Sequence, residues 1–242
     1  ELVDAKLAEG GFDTLCLTMN ETSTGIISPI ADIARLVRAK YPDIIILVDA
    51  VSCMAGVEIK NDEWGLDVIL AGVQKCFALP PGFAVCTVSA RAFERAKTVP
   101  NRGYYFDFIE NEKYAVKYNT PATPGISFLY ALDQQMDAMF AEGLANRYAR
   151  HLAMAQHCRA WAKQHFALYG EEAYASPTVT HITNTTGFDF GAMNKELGKR
   201  GATVSDGYGP FKGKTFRIGH MGDLTLADVQ WLTGQIDEIL GL

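Results

Sequence analysis

The sequence predicts an α/β protein with a mainly parallel sheet flanked by helices. Residues 44–51 (IIILVDAV) and 66–73 (LDVILAGV) are short, continuous apolar runs rich in branched side chains, the pattern of parallel strands buried on both faces. Amphipathic residues 31–40 precede the first run, and residues 83–98 have the pattern of a third strand followed by a helix. This alternation of strands and helices is typical of βαβ units.

Start and stop signals define the neighbouring elements. Residues 1–9 have a helical pattern that the pair Gly10-Gly11 ends, and residues 12–19 (FDTLCLTM) have the pattern of a strand. Ser28 is predicted to be the N-cap of the next helix, with Pro29 at its first helical position. Ser89 is predicted to begin the helix that runs to about residue 98.

A second region follows a long helical pattern. This pattern runs from Pro124 to about Leu168 and is broken near Gly143. We therefore expect a large domain over residues 1–142 and a smaller α+β domain over residues 143–242. The elements predicted for the smaller domain are strands at residues 178–184 and 215–221, a helix near Phe190 to Lys199, and a last helix with Thr225 and Asp228 as a capping box.

Composition excludes several classes of function. The chain has 242 residues and a formal net charge of −6, so no basic surface for nucleic acid or for an anionic membrane is expected. No apolar stretch reaches the ~18 residues of a membrane span. The five cysteines lack C-x-x-C spacing, which favours reduced thiols over disulfides or zinc ligands. We therefore expect a cytoplasmic protein without a metal site.

Asp49 and Lys75 stand at the ends of the two apolar runs. Parallel strands deliver their carboxyl ends to one edge of a sheet, so both side chains should reach the same crevice. Buried Asp and Lys are costly unless they are paired or functional. A lysine there can act as a Schiff-base nucleophile, and an aspartate can keep a pyridinium nitrogen protonated, which suits pyridoxal phosphate. A structural Asp–Lys ion pair is the alternative.

Five segments stand in a fixed order along the chain. They are NETSTG (20–25), VDAVS (48–52), VQK with PPG (73–75 and 80–82), YNTP (118–121) and GKTFRIGHMG (213–222). With these motifs, the chain resembles the class V, fold-type I pyridoxal-phosphate aminotransferases, the group of serine/pyruvate, alanine/glyoxylate and phosphoserine aminotransferases. The resemblance extends over nearly the whole chain and implies the fold-type I architecture.

The resemblance implies a cofactor site built from five of these residues. Lys75 would form the Schiff base with pyridoxal phosphate, and Asp49 would bind the pyridine nitrogen. Gln74 would contact the cofactor phosphate, and Thr22 would hydrogen-bond the cofactor. Val51 would lie against the ring. For Thr22, the alternative is an ordinary loop residue that bonds its own backbone.

Three further positions are implied to bind phosphate and substrate. Asn119 and Thr120 match residues that reach a phosphate of the neighbouring subunit, which implies a homodimer. Arg217 matches the arginine that binds the substrate carboxylate, a task suited to a planar, bidentate guanidinium. The alternatives are a helix entry for Asn119 and Thr120, and a solvated strand residue for Arg217.

The implied activity is ping-pong transfer of an amino group between a small amino acid, of the serine or alanine type, and a keto acid such as glyoxylate or pyruvate. Residues 207–219 resemble the serine/glyoxylate and alanine/glyoxylate branch, and no His-Arg pair of the phosphoserine branch precedes Arg217. The NET and NTP segments are phosphoserine-like, so the signals are mixed. A small unphosphorylated amino acid is the favoured substrate.

Two other interpretations remain. Enzymes of this family usually carry a segment before the position of Glu1 that includes a phosphate-binding loop, so we expect an N-terminally incomplete chain. A non-catalytic module unable to hold the cofactor is therefore one alternative. A class V lyase resembling cysteine desulfurases is the other, although Gln74 and the lack of a cysteine after Cys158 argue against it. His220 is interpreted as a hydrogen-bonded structural histidine rather than a general base.

Overall fold

The computed structural model describes residues 1–242, which form nine α-helices and ten β-strands. The strands are Thr14–Thr18 (β1), Asn20–Glu21 (β2), Ile26–Ile27 (β3), Ile45–Asp49 (β4), Val68–Gly72 (β5), Ala84–Val88 (β6), Ala167–Leu168 (β7), Val179–Thr183 (β8), Ser205–Asp206 (β9) and Thr215–Gly219 (β10). The helices are Leu2–Ala8 (α1), Ile30–Lys40 (α2), Asn61–Trp64 (α3), Ala90–Thr98 (α4), Phe108–Ala115 (α5), Ile126–Glu142 (α6), Leu144–His165 (α7), Phe190–Lys199 (α8) and Leu226–Leu240 (α9).

The first sheet has the strand order β1-β4-β5-β6. Strands β1, β4 and β5 are parallel, whereas β6 pairs antiparallel with β5. Helix α2 buries Ile30, Ala34 and Val37, the i, i+4, i+7 stripe that an amphipathic helix turns to a core. This stripe joins buried residues of β4 and β5 in one apolar cluster. The predicted mainly parallel α/β arrangement is confirmed.

The second sheet has the order β7-β8-β10-β9 and is antiparallel throughout. Helices α7, α8 and α9 contribute to the second apolar core, which includes Trp161, Leu197, Phe216 and Ile236. The α+β character of this half is confirmed. The two cores fall on either side of Gly143, but the domain boundary itself stays a prediction.

Two of the three predicted helix caps are confirmed. Ser89 accepts a hydrogen bond from Ala92 N at the start of α4, and Thr225 forms a capping box at the start of α9. The Ser28 cap is wrong, because Pro29 occupies the N-cap position and no side chain caps α2. The Ser28 hydroxyl donates instead to the Thr18 carbonyl at the end of β1, 2.9 Å away.

A buried carboxylate lies at the amino end of β5, at the sheet edge opposite to that of Asp49. Asp67 accepts hydrogen bonds from Arg38 at 2.6 Å, from Arg91 at 2.8 Å, and from the Ile46 amide at 2.7 Å. Burial alone would raise the pKa of Asp67, but these hydrogen bonds and the two positive charges lower it below the usual range. Asp67 is therefore held ionised as a structural group.

The cysteine thiols and the apolar character of the helices are two further features of the chain. All five cysteines are free thiols, with Cys53, Cys76 and Cys158 buried. Burial raises the pKa of Cys76 to about 12, so this thiol is a protonated core side chain near pH 7. None of the helices combines the length and the apolar character needed to cross a bilayer.

Candidate active site

The carboxyl edge of the parallel strands holds both predicted reactive residues. Asp49 is the last residue of β4, and Lys75 follows the end of β5 by three residues. Because β4 and β5 are adjacent and parallel, with Asp49 opposite Leu70, both side chains start from the same edge of the sheet. The structure thus places the pair where the sequence predicts it, and their roles stay predictions.

Asp49 and Lys75 do not form an ion pair. Asp49 is exposed, and its Oδ1 accepts a hydrogen bond from the Val51 amide at 2.9 Å. Lys75 is half-buried, and neither residue takes part in any ion pair of the chain. The expectation of burial is therefore wrong for Asp49, because this edge of the sheet is open. The structural ion-pair alternative is also wrong.

Thr22 and Ser52 connect the turn between β2 and β3 with the loop that follows β4. Their hydroxyl groups are hydrogen-bonded to each other. The Ser52 carbonyl accepts from Thr178 Oγ1 at 2.6 Å and from Cys76 Sγ at 3.7 Å. The residue after Lys75 is therefore in contact with the loop after Asp49. For Thr22, the bond to Ser52 contradicts the alternative of purely local bonding.

Gln74 and Val51 flank the reactive pair. The Gln74 side chain folds back over Gly72, where a Cβ atom would come within 2.4 Å of Gln74 Oε1. A side chain at this position would displace the Gln74 carboxamide. The Gln74 side chain is exposed at the sheet edge and Val51 is half-buried beside Asp49. Both are at the predicted edge, and their contacts with a cofactor stay predictions.

Arg217 lies in β10 and reaches the turn between β2 and β3. Its guanidinium donates to the Asp206 carbonyl from Nε and Nη2, at 3.1 and 3.0 Å, and to the Thr22 carbonyl from Nη1 at 3.2 Å. The Tyr208 ring lies 5.8 Å from the guanidinium carbon. Only neutral carbonyls orient this cation, and no carboxylate of the chain neutralises it. These bonds use three of the five N–H groups, and the two that remain, on Nη1 and Nη2, can donate to an added carboxylate.

Asn119 and Thr120 lie away from this edge network. Both are exposed in the loop between α5 and α6. Asn119 Oδ1 accepts from the Thr120 amide at 2.8 Å, and Thr120 Oγ1 donates to the Ala122 carbonyl at 2.7 Å. The single chain does not bring them to Lys75, so their role toward a neighbouring subunit stays a prediction.

His220 has the structural role that the sequence indicates. The ring is fully buried directly after β10, and Nε2 lies 2.8 Å from Thr180 Oγ1. Burial lowers the pKa of His220 to about 3, so the ring is neutral near pH 7. The sequence reasoning missed two residues that connect the site loops, Ser52 and Arg147. Ser52 could have been found within the VDAVS motif, whereas Arg147 looks like an ordinary helix charge.

The fold and this edge define an α/β protein with a lysine and a carboxylate at one sheet edge, and with an arginine that bonds the segment carrying Thr22. Comparison with known proteins extends that description. Residues 4–212 match the model of the family described as aminotransferase class-V. The chain belongs to this family.

Individual relatives agree with the family but are longer. The chain is 35% identical over 226 residues to the protein named soluble hydrogenase, small subunit, of Synechococcus sp. (strain PCC 6716), matching 93% of this chain and 58% of that protein. It is 32% identical over 216 residues to serine–glyoxylate aminotransferase of Arabidopsis thaliana, matching 87% of this chain and 53% of that protein. The chain thus spans little more than half the length of these relatives.

Solved structures show the same fold. The crystal structure of alanine–glyoxylate aminotransferase from Nostoc sp. superposes with a TM-score of 0.91 at 29% identity, covering 99% of this chain and 64% of that one. The fold-type I architecture predicted from the sequence is therefore confirmed.

Pyridoxal phosphate, the cofactor of this family, fits the residues at the sheet edge. The Asp49 carboxylate has one oxygen bonded to the Val51 amide and no cation beside it, so it can accept from a pyridinium nitrogen. The Lys75 amine has no hydrogen-bond partner in the chain and is free to bond covalently to an aldehyde. Gln74 is the residue of this edge that could contact the phosphate.

Proposed function

We propose that this chain carries the reactive core of a pyridoxal-phosphate-dependent aminotransferase. Its reaction moves an amino group between a small amino acid, of the serine or alanine type, and a keto acid such as glyoxylate or pyruvate. The observation that carries the proposal is one sheet edge that presents an unpaired lysine and an unpaired carboxylate, with an unpaired arginine bonded to the neighbouring loop. Each of these three charges lacks an oppositely charged partner within the chain.

Each of the three residues has a distinct task. The bound cofactor would supply an electron sink for negative charge at the substrate Cα. Asp49 holds a proton on the ring nitrogen by offering its free carboxylate oxygen. Lys75 Nζ acts as nucleophile toward the cofactor and as the base that moves the proton of the substrate Cα. Arg217 binds the substrate carboxylate with its planar fork and thereby orients the Cα–H bond.

The names of the relatives support the substrate class unequally. The Arabidopsis protein is named for serine and glyoxylate, and the Nostoc protein for alanine and glyoxylate. The Synechococcus protein is named as a hydrogenase subunit. The arrangement of Lys75, Asp49 and Arg217 matches amino transfer, so we assign the chain the substrate class of the first two.

We also propose a homodimer in the cytoplasm. Large apolar side chains are exposed between residues 104 and 144, where Asn119 and Thr120 lie, and a partner subunit would cover them. The side chains of this exposed segment include Tyr105, Phe106, Val116, Tyr118, Tyr130 and Phe140. The free thiols fit a reducing compartment.

The proposed function is tested by covalent trapping. The purified chain is incubated with pyridoxal phosphate and reduced with borohydride, and the adduct is located by peptide mass mapping. We expect one label per chain, on Lys75, and none in Lys75→Arg. Labels scattered over surface lysines, equally in both proteins, would identify a non-catalytic module instead.

A separate sample, loaded with pyridoxal phosphate but not reduced, is then offered single amino acids and keto acids. Formation of a keto acid from serine or alanine, with amino transfer to glyoxylate, is the expected result. Formation of alanine from cysteine, with sulfide released when a thiol reductant is present, would identify a desulfurase-like lyase and contradict the proposal.

A further inference from the structure

Arg147, on helix α7, makes an unusual set of contacts for a helical arginine. Its side chain is 2% exposed. Nε donates to the Ala55 carbonyl at 3.0 Å, and Nη2 donates to the Cys76 carbonyl at 2.7 Å. Nη1 contacts Glu142 at 3.0 Å and Asp223 at 3.1 Å. One guanidinium thus bonds four separate segments of the chain.

One of these segments directly follows Asp49, and another contains Lys75. We call residues 50–57 the Asp49 loop and residues 73–79 the Lys75 loop. Ala55 belongs to the first loop and has φ of +71°, and Ala78 belongs to the second and has φ of +57°. Left-handed backbone at alanine is strained and persists only where the surroundings hold it. The bonds from Arg147 to both loops are part of that restraint.

The buried cation is balanced by two carboxylates. Glu142 bonds both Arg150 and Arg147, which lower the pKa of Glu142 to about 2. Asp223 Oδ1 accepts from Nη1 and Nη2 of Arg147, both at 3.1 Å. A buried guanidinium with such partners keeps its donors fixed in direction. Its remaining N–H groups therefore point at the two loop carbonyls.

His151, one turn further along α7, fixes the same region from the other side. Its Nδ1 lies 2.8 Å from the Arg147 carbonyl, and its Nε2 accepts from the Gly222 amide at 3.1 Å. These partners require the tautomer with the proton on Nδ1, since a carbonyl only accepts. At Gly222, where φ is +77°, a Cβ atom would lie 3.3 Å from the Lys75 carbonyl oxygen. The Lys75 loop is thus packed between α7 and the loop after β10.

We propose that Arg147 is a positioning residue that sets the spacing between the Asp49 carboxylate and the Lys75 amine. It acts through the carbonyls of Ala55 and Cys76 and touches neither the cofactor nor the substrate. A lysine cannot replace it, because a single ammonium group lacks the planar fork that serves both loops and both carboxylates. The effect on cofactor binding rests on the proposed function, whereas the effect on the loops does not.

The first test measures the opening of the Lys75 loop in the absence of cofactor. Cys76 is buried beside Lys75, so its alkylation by iodoacetamide reports opening of the Lys75 loop, and peptide mapping separates it from the exposed Cys16 and Cys86. We expect Arg147→Gln to speed alkylation of Cys76 by about tenfold or more, since two hydrogen bonds from a charged donor are lost.

Arg150→Gln is the matched control for this test. Arg150 shares Glu142 with Arg147 and bonds the carbonyls of Gly222 and Leu224, but it donates to neither loop. We expect its variant to alkylate Cys76 close to the wild-type rate. Equal rates in the two variants, at equal loss of thermal stability, would overturn the proposal.

The second test measures the affinity and the pH response of the bound cofactor. Pyridoxal phosphate is titrated by visible absorption, and the pH midpoint of the bound absorption band is measured. We expect Arg147→Gln and Arg147→Lys to weaken binding by about tenfold and to move the midpoint, and Arg150→Gln to do neither. Wild-type chain that binds no cofactor would refute the proposed function, while the alkylation rates would still decide whether Arg147 holds the loops.

Discussion

Asp49 and Asp67 occupy opposite ends of neighbouring strands, and their surroundings assign them different tasks. Asp67 is 1% exposed and bonded to Arg38 and Arg91, whereas Asp49 is exposed and bonded only to the Val51 amide. A carboxylate with two guanidinium partners stabilises the fold, and one without a cation remains available to a ligand. The sequence alone selected Asp49 by its motif and gave no sign of the role of Asp67.

Replacing each aspartate by asparagine should separate the two tasks. We expect Asp67→Asn to lose about 3 kcal/mol of unfolding free energy, because Arg38 and Arg91 would lose their charge partner. The unfolding free energy of Asp49→Asn should stay within about 0.5 kcal/mol of the wild-type value, since the amide oxygen of the asparagine can still accept from the Val51 amide. Urea denaturation measures both. A destabilisation of Asp49→Asn as large as that of Asp67→Asn would contradict the assignment.

Arg217 should control the binding of carboxylate ligands. We expect Arg217→Lys to lower the affinity for an amino acid substrate by about 10- to 100-fold, because one charged hydrogen bond of a bidentate pair is lost. Cofactor affinity should be unchanged. Spectral titration of the cofactor-loaded chain measures the two affinities separately, with Arg35→Lys, an exposed surface variant, as control. Loss of cofactor affinity alone would place Arg217 elsewhere in the mechanism.

At the scale of elements, helix α9 depends on its capping box. Thr225 Oγ1 accepts from the Asp228 amide, and Asp228 Oδ2 accepts from the Thr225 amide at 2.8 Å. We expect Thr225→Ala to lose about 1 kcal/mol of unfolding free energy, because amide groups at the start of the helix lose their hydrogen-bond partners. Thermal unfolding measures the loss, and Thr185→Ala, at an exposed loop position, is the control. Equal melting temperatures for the two variants would show that the box contributes nothing.

The elements that could be predicted from the sequence are those with a clear local signal. Continuous apolar runs revealed β4 and β5, and periodicity with a glycine break revealed α6 and α7. The antiparallel pairing of β6 has no local signal, since direction depends on the connection and the partner. The two-residue strands were likewise not predicted, because pairs of this length form only through contacts distant in sequence.

The same distinction applies to the site. Motif order identified Asp49, Lys75 and Arg217, and strand ends predicted that the first two share an edge. Arg147 was not predicted because its bonds to the two loops go to backbone carbonyls that are distant in sequence, and no residue pattern records such bonds. The solvent exposure of Asp49 was not predicted for a related reason. Whether the end of a strand is buried depends on other segments of the fold that pack over it.

Across the whole molecule, buried histidines predict acid sensitivity. Burial lowers the pKa values of His151, His157, His181 and His220. The unfolded chain therefore binds more protons than the folded chain at pH values below the ordinary histidine pKa of 6.5. Stability is complete above that pH and is lost as the pH falls, by at most about 1.4 kcal/mol per pH unit for each histidine.

We expect the melting temperature to decrease between about pH 7.5 and about pH 5. The decrease should be smaller in His157→Gln, whose ring is half-buried and bonded to Thr233, and smaller still in His220→Gln if that chain folds. Differential scanning fluorimetry across the pH range measures it. An unchanged melting temperature down to pH 5, or equal slopes for wild type and His157→Gln, would refute the role of these histidines.

The hydrogen bond between Arg217 and Thr22 joins residues 195 positions apart in the chain. Asp49 and Lys75 are synthesised before β10. The parallel strands β1, β4 and β5 can therefore pair before β10 exists. Arg217 can reach Thr22 only after all the residues between Lys75 and β10 have been synthesised and have closed this long loop. With the substrate role proposed for Arg217, a translation product that stops before β10 would have the reactive lysine without the means to orient a substrate.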